Sequence, residues 1–268
     1  ALEGTLGVQL VERSRARVAL SPIGREVAAH AARVLEEVRG LADIASAARN
    51  GTGGTIRLGT KPTLGPYLLP HIVTALSRDQ PDLRLYVRES VPRELGFELA
   101  RGDHDVILAQ LPVAGAELVT RRLFREPLYL CLPAGHPLAA REAVAADEMA
   151  GLQVLSLSAR YHLHDRIAGL CEDVGAVLMS DYVGTSLDAL RTMVGMGMGA
   201  TFLPALYARS EIGPQSEVVV RPLRGRSVSR SIGLVWRKSA GRATAYRRIA
   251  EVIRTVAAER FPELTLES

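Results

Sequence analysis

Residues Thr55 to Asp79 read TIRLGTKPTLGPYLLPHIVTALSRD, and they decide the fold class. Ile56 and Leu58 alternate with polar neighbours in a short strand, Thr55 to Gly59, and Gly65-Pro66 then opens a helix that runs to Asp79. The same plan continues downstream, with a strand at Leu83 to Arg88, a helix at Pro92 to Arg101 and a strand at Asp105 to Ala109. A second set follows: strand Leu152 to Leu157, helix Asp165 to Val174, strand Asp181 to Gly184, helix Leu187 to Val194 and strand Ala200 to Leu203. Strands alternating with helices make an α/β protein, and two similar sets make two lobes. The strand Ser231 to Trp236 and the helix Ala243 to Arg260 suit a chain that crosses back to complete the first lobe.

Upstream, Ser21 can cap a helix whose first position is Pro22 and whose end is marked by Gly51, Gly53 and Gly54. Within it Val27, Ala31, Val34, Val38, Leu41 and Ala45 are spaced four and three apart, the rhythm of a seam between two helices. Pairing of two copies along this helix is one reading. Packing of the helix on its own chain is the other, since alanine at two seam positions weakens the contact.

The chain has 268 residues, enough for two lobes with separate cores and a further segment. No apolar run approaches the roughly 18 residues of a membrane span. The first residues carry no secretory signal and no initiator Met, so a piece of a longer cytoplasmic protein is expected. A net charge of +4 permits contact with nucleic acid where basic residues cluster. They do so at Arg13, Arg15 and Arg17, and again at Arg221, Arg224, Arg226 and Arg230, where a solvated charged face is the expectation. Two cysteines, Cys131 and Cys171, are too few for a disulfide framework and fit a reducing compartment.

Leu2, Glu3, Leu6, Gly7, Leu10, Glu12 and Arg13, followed by Leu20, Ser21, Pro22, Gly24 and Arg25, resemble the end of the recognition helix, the wing and the linker helix of LysR-type transcription regulators. The remainder resembles that family's effector module, which has the two-lobed fold of periplasmic binding proteins. Lys61 to Ile72, Thr185 to Val194, Leu203 to Leu206 and Ile232 to Val235 are similar to the OxyR peroxide sensors within the family. The resemblance implies a division into 1–20, the remnant of a winged helix-turn-helix; 21–50, a linker and dimerisation helix; 55–127 with 231–268, the first lobe; and 128–230, the second. It also implies double-stranded DNA as the partner of the full-length protein, with Arg13, Arg15 and Arg17 meeting phosphates. A homodimer or homotetramer is the implied assembly.

OxyR sensors use one cysteine thiolate to attack peroxide and a second to resolve the sulfenic acid as a disulfide. Matching Leu163, Asp165, Gly169 and Cys171 to that pattern puts Cys171 at the resolving position and His162 at the attacking one. An imidazole forms neither a sulfenic acid nor a disulfide, so the standard switch lacks its first sulfur. Thr63 matches one peroxide-binding threonine of the family, and Pro92 replaces the other. Cys171 remains a redox candidate, with burial as a small hydrophobe its alternative.

The residues themselves offer a different site. Thr60, Lys61 and Thr63 gather at the start of a helix, where an anion such as a carboxylate fits; the competing reading makes Thr63 a helix cap. Thr185 before a second-lobe helix, Gln110 and Phe202 at strand ends, and His162 complete a candidate effector site between the lobes. His162, His164 and Cys171 lack a fourth ligand and a recognised metal spacing, and Met193, Met196 and Met198 suit packing. No nucleophile elbow, nucleotide-binding glycine pattern or metal motif stands out, so no catalytic residue and no cofactor is assigned. The sequence therefore predicts an OxyR-like LysR regulator controlled by a small effector between two lobes. A peroxide-responsive regulator using other chemistry at Cys171 or His162 is the second reading, and a solute-binding protein is a more remote one.

Overall fold

The computed structural model describes residues 2–13, 18–31, 34–35, 45 and 54–268, and they fall into two units, Ala1–Gly54 and Thr55–Ser268. In the first unit a short helix, α1 (Leu2–Leu6), precedes an antiparallel pair, β1 (Val11–Arg13) and β2 (Val18–Leu20), with Val11 opposite Leu20. Glu3 Oε1 accepts the backbone N–H groups of Leu10 and Val11 at 2.6 and 2.8 Å, which ties helix to strand. Helix α2 follows at 22–31. Ser21 Oγ accepts the Gly24 N–H at 3.0 Å, the capping bond that its sequence position predicts. A Cβ on Gly24 would lie 2.0 Å from the Leu10 carbonyl oxygen, so this close approach requires glycine. Arg15 and Arg17, with Val38 and Leu41 of the helical seam, lie outside the described residues.

In the second unit the elements run β3 (Gly54–Thr60), α3 (Gly65–Asp79), β4 (Leu83–Glu89), α4 (Pro92–Arg101), β5 (Val106–Gln110) and β6 (Leu118–Pro133). They continue through β7 (Val144–Ala145), β8 (Gln153–Leu157), α5 (His162–Val174), β9 (Val177–Gly184), α6 (Leu187–Gly195), β10 (Thr201–Pro204) and α7 (Ala205–Glu211). The last elements are β11 (Val218–Arg221), β12 (Leu223–Arg224), β13 (Ser229–Arg237), α8 (Ala243–Arg260) and β14 (Thr265–Leu266). The main sheet has the order β10-β6-β13-β5-β3-β4, with β11 and β14 also paired to β6.

Strand β6 joins two lobes because its two halves serve different partners. Residues Leu118 to Pro127 pair with β13, whereas Leu128 to Pro133 pair with β10 and β11. In the first lobe β5 is buried at all five positions, since helices cover both faces of the sheet. Its Val106 and Leu108 join the core formed with α3 and α8, and the alternate residues Ile107 and Ala109 pack with Leu95 and Leu99 of α4. A separate core containing Leu130, Val154, Ile167, Leu190 and Phe202 fills the second lobe.

The long β6 is where sequence and structure differ most. Leu128 to Leu132 form an apolar run, but Arg121, Arg122 and Arg125 give the first half the look of a loop. Those side chains stand on the exposed side, and Arg125 meets Glu267 of the C-terminal segment at 2.8 Å. The expected solvated face at Arg221 to Arg230 needs correction too. Arg224 and Arg226 are exposed, but Arg230 is only 2% exposed, and Arg221 donates to the carbonyls of Ala139 and Val220. Among the methionines expected to pack, Met193 is buried while Met196 and Met198 are exposed.

Candidate functional site

The site begins with parallel pairing. Strands β3 and β5 run side by side, with Thr60 opposite Leu108, so the residues just beyond them emerge together at one end of the sheet. Lys61 and Gln110 occupy that end, and Lys61 Nζ donates to Gln110 Oε1 at 3.1 Å. His162, the first residue of α5, approaches from the second lobe. Together with α4 and residues 112–114 they enclose a cavity of about 540 Å³. Lys61, Arg93, Gln110 and His162 form its polar side, and Leu95, Ile107, Ala109 and Val113 belong to its apolar wall. A second cavity of about 540 Å³ shares Gln110, Pro112 and His162 and extends past Arg166 to Ser229 and Arg230.

Electrostatics distinguish Lys61 from its neighbours. Its side chain is buried, and among the described residues no carboxylate lies within ion-pair distance of it. Burial, reinforced by Arg230, draws its pKa well below the ordinary lysine range; Glu126 opposes the shift. An anion placed here would restore the charged form. The pKa of His162 is also lowered, by burial first and then by Lys61 and Arg93, against the pull of Asp165. Among the described residues His162 has no hydrogen-bond partner.

Behind Lys61 lies a fully buried ion pair. Arg230 Nε meets Glu126 Oε2 at 2.7 Å, and the guanidinium also donates to Thr63 Oγ1 and to the Thr63 carbonyl, at 3.0 and 2.8 Å. Glu126 Oε1 accepts the Leu206 N–H at 3.0 Å. One network thus joins the β6–β13 crossover, the approach to α3 and the start of α7. At the mouth of the cleft two exposed pairs link the lobes, Arg93 with Asp165 at 3.4 Å and Glu94 with Arg160 at 3.3 Å.

The structure brings Lys61, Gln110 and His162 of the expected site residues to the cleft. Thr60 is fully buried, and its hydroxyl faces the Leu108 carbonyl at 3.5 Å. Thr63 neither caps α3 nor lines the cavity, because its hydroxyl accepts from Arg230. The N–H groups of Leu64 and Gly65 at the start of α3 donate to the Lys61 carbonyl and offer no bond to an anion. Phe202 belongs to the second-lobe core, and Thr185 is exposed outside both cavities. Sequence reasoning missed Arg93 and Arg166; only their positions on amphipathic helices flanking the cleft marked them.

Both cysteines are free and buried. Cys171 lies on the core side of α5, nine residues after His162, and burial pushes its thiol up to about 11. Burial pushes Cys131 up to about 12. His164 Nδ1 lies 2.9 Å from the Leu157 carbonyl. Among the described residues no three His, Cys, Asp or Glu side chains converge as a metal site, and no helix is long and apolar enough to cross a membrane.

Two α/β lobes joined by β6 and β13, with a cleft at the strand ends, define the effector-binding half of a LysR-type regulator. The LysR substrate binding domain profile matches residues 49–258, and the chain belongs to that family. Within the family it is OxyR-like. It is 36% identical over 253 residues to the DNA-binding transcriptional dual regulator OxyR of Escherichia coli K12, covering 94% of this chain and 83% of the relative. A full-length OxyR variant from Pseudomonas aeruginosa superimposes with a TM-score of 0.68 at 31% identity, covering 94% of this chain and 85% of the other. A hydrogen-peroxide-bound OxyR mutant from Corynebacterium glutamicum gives 0.76 at 26% identity, over 98% and 83%.

Proposed function

We propose that this chain is the regulatory part of a transcription regulator whose signal is a small molecule held between the lobes, not a disulfide. The observation that carries the reading is the buried amino group of Lys61 at the cleft, with no carboxylate beside it among the described residues, set against two buried thiols whose ionisation is suppressed. A thiolate is the nucleophile in peroxide sensing, and neither sulfur is poised to become one. His162, which the family pattern sets at the attacking position, lines the cleft. A molecule bound more tightly by one arrangement of the lobes biases that arrangement, and the change is passed on without catalysis.

The full-length protein binds double-stranded DNA as a homodimer or homotetramer in this reading, with residues 1–20 the end of a winged helix-turn-helix and 21–50 the linker helix. Exposure of Ala31, Val34 and Ala45 along the seam supports a partner for that helix. Residues 55–127 with 231–268 form the first lobe and 128–230 the second, a division supported by the change of partners along β6 at Leu128.

A second reading keeps the peroxide response, as similarity to a peroxide-bound OxyR mutant favours, and places the chemistry at Cys171. Intact mass and thiol counting on the reduced protein, before and after a slight excess of hydrogen peroxide, separates the two. Two unmodified thiols support the ligand-controlled reading. Rapid oxidation of Cys171, seen as added oxygen or as a disulfide in non-reducing electrophoresis, overturns it.

A further inference from the structure

The cavity beside α4 has a lining of two kinds. Among its polar members is Lys61, whose ammonium form has three N–H donors and, among the described residues, one acceptor within hydrogen-bond distance, Gln110 Oε1. Most of the remaining lining is apolar. Leu95 and Ile107 are buried beneath it, Val113 faces it, and Phe97 stands at its rim with 75% of its surface exposed. A Phe this exposed gains little from packing on its own chain, but an apolar group in the cavity would cover it.

Among the described residues around the cleft, two basic side chains, Arg166 and Lys61, have no carboxylate partner, and of the two only Lys61 is buried. Arg93 meets Asp165, Arg160 meets Glu94, Arg125 meets Glu267 and Arg230 meets Glu126. Arg166 is exposed to water and donates to the Ser229 carbonyl. Lys61 is buried, and the carboxylate whose field reaches it, Glu126, is already bound by Arg230.

We infer that this cavity takes an amphipathic monoanion: a single carboxylate held by Lys61 and Gln110, with an aliphatic or aromatic body lying between Leu95, Val113 and Phe97. The inference rests on the reading that a small molecule between the lobes is the signal, and it names that molecule's chemical class. The second charge of a dianion would press against the apolar wall at a desolvation cost. A neutral amide leaves Lys61 without its counter-charge. Hydrogen peroxide leaves most of the cavity empty, whereas a space of about 540 Å³ falls in the roughly 300–1,000 Å³ range of small-molecule sites. Gln110 can turn its amide to offer N–H₂ to the second carboxylate oxygen, because its present orientation answers only to Lys61. The body of such a molecule also touches α4, whose Arg93 and Glu94 form the pairs that cross the cleft.

The test is thermal unfolding of this chain in the presence of acetate, butyrate, benzoate, 3-phenylpropanoate, 3-phenylpropanamide and succinate, each at equal concentration and ionic strength. The midpoint is expected to rise along the monocarboxylates as the apolar body grows, and to stay fixed with the amide. Lys61→Met, checked for folding by its own unfolding transition, is expected to weaken 3-phenylpropanoate binding at least about tenfold, as loss of a charge-assisted hydrogen bond does. Phe97→Ala, at the exposed rim, is expected to weaken it several-fold while leaving acetate unaffected. No response to any monocarboxylate, or an equal response to acid and amide, overturns the inference. A stronger response to succinate overturns the chemical class alone, because the peroxide experiment judges ligand control against thiol chemistry independently.

Discussion

Glu126 and Arg230 stand directly opposite each other in the β6–β13 ladder, and their side chains meet at 2.7 Å with neither exposed to water. Two residues beyond, at Leu128, β6 leaves its first-lobe partner for β10. The pair therefore sits at the crossover between lobes, and its remaining hydrogen bonds reach Thr63 and Leu206 on either side. A buried pair contributes little net stability over apolar residues of similar volume, but removing one partner strands the other charge. Glu126→Gln and Arg230→Met are each expected to lower the unfolding free energy by about 3–5 kcal/mol. Urea denaturation measures this, and the double variant Glu126→Leu with Arg230→Met is expected to lose less than the sum of the two.

His162 makes stability depend on acidity in a defined direction. Its pKa in the folded chain is lowered from 6.5, so between that value and the folded one the unfolded chain binds more protons. Stability contributed by the neutral ring is present above pH 6.5 and is lost as the pH falls through the lower folded pKa. Urea midpoints at about pH 7.5 and 5.5 are expected to differ more for the wild type than for His162→Gln. Equal differences would show that the ring titrates as it does in the unfolded chain.

Lys61 carries a related cost in the unoccupied protein. Its amino group is buried against one amide oxygen and, among the described residues, no carboxylate, so replacing it with an apolar chain of similar length removes a desolvated polar group. Lys61→Met is expected to raise the urea midpoint of the chain at neutral pH. Because the lysine pKa is lowered from 10.5, the unfolded chain holds more protons as the pH rises toward that value, and the wild type gains stability there. The advantage of the variant is expected to shrink between about pH 7 and 9.5, and a constant advantage would point to packing alone.

The regular elements were legible because one face or both were apolar in a simple period. Gly65–Asp79, Pro92–Arg101 and Ala243–Arg260 have the observed bounds, fixed by a Gly-Pro start, by a proline start with a glycine stop, and by amphipathic spacing. The first half of strand β6 was not legible, since its Arg122 and Arg125 answer to a C-terminal Glu267 more than a hundred residues away. The site divides in the same way. Gln110 follows from a strand end, Lys61 from the start of the helix after β3, and His162 from its place in the OxyR pattern, since the expected helix began only at Asp165. Thr63 was misplaced because its hydroxyl partner, Arg230, is 167 residues distant and was read as a surface charge. No local pattern reports such a bond.

The two ion pairs at the mouth of the cleft should matter for closure and hardly for stability. Each side chain of Arg93, Asp165, Arg160 and Glu94 is more than half exposed, and exposed pairs contribute about 0–1 kcal/mol. Asp165→Asn is expected to shift the unfolding free energy by less than about 1 kcal/mol. High salt screens the same attraction. The distance between fluorophores on the two lobes is therefore expected to lengthen with added salt in the wild type, and to respond less in Asp165→Asn with Glu94→Gln.

Thiol reactivity offers the last check on what the fold has done to its cysteines. Only the thiolate attacks an alkylating agent, and burial raises the Cys171 pKa from 9.0 to about 11. That shift alone cuts the ionised fraction near neutral pH about a hundredfold, before any loss of access is counted. Cys131, pushed up to about 12 and fully enclosed, is suppressed further. Iodoacetamide at pH 7.5 is therefore expected to leave both residues intact in the native chain and to modify both in denaturant, as followed by peptide mass. The native rate at Cys171 should climb with pH in parallel with its thiolate. Rapid labelling of Cys171 in the folded protein would mean that α5 opens readily, and would return this sulfur to contention as a sensor.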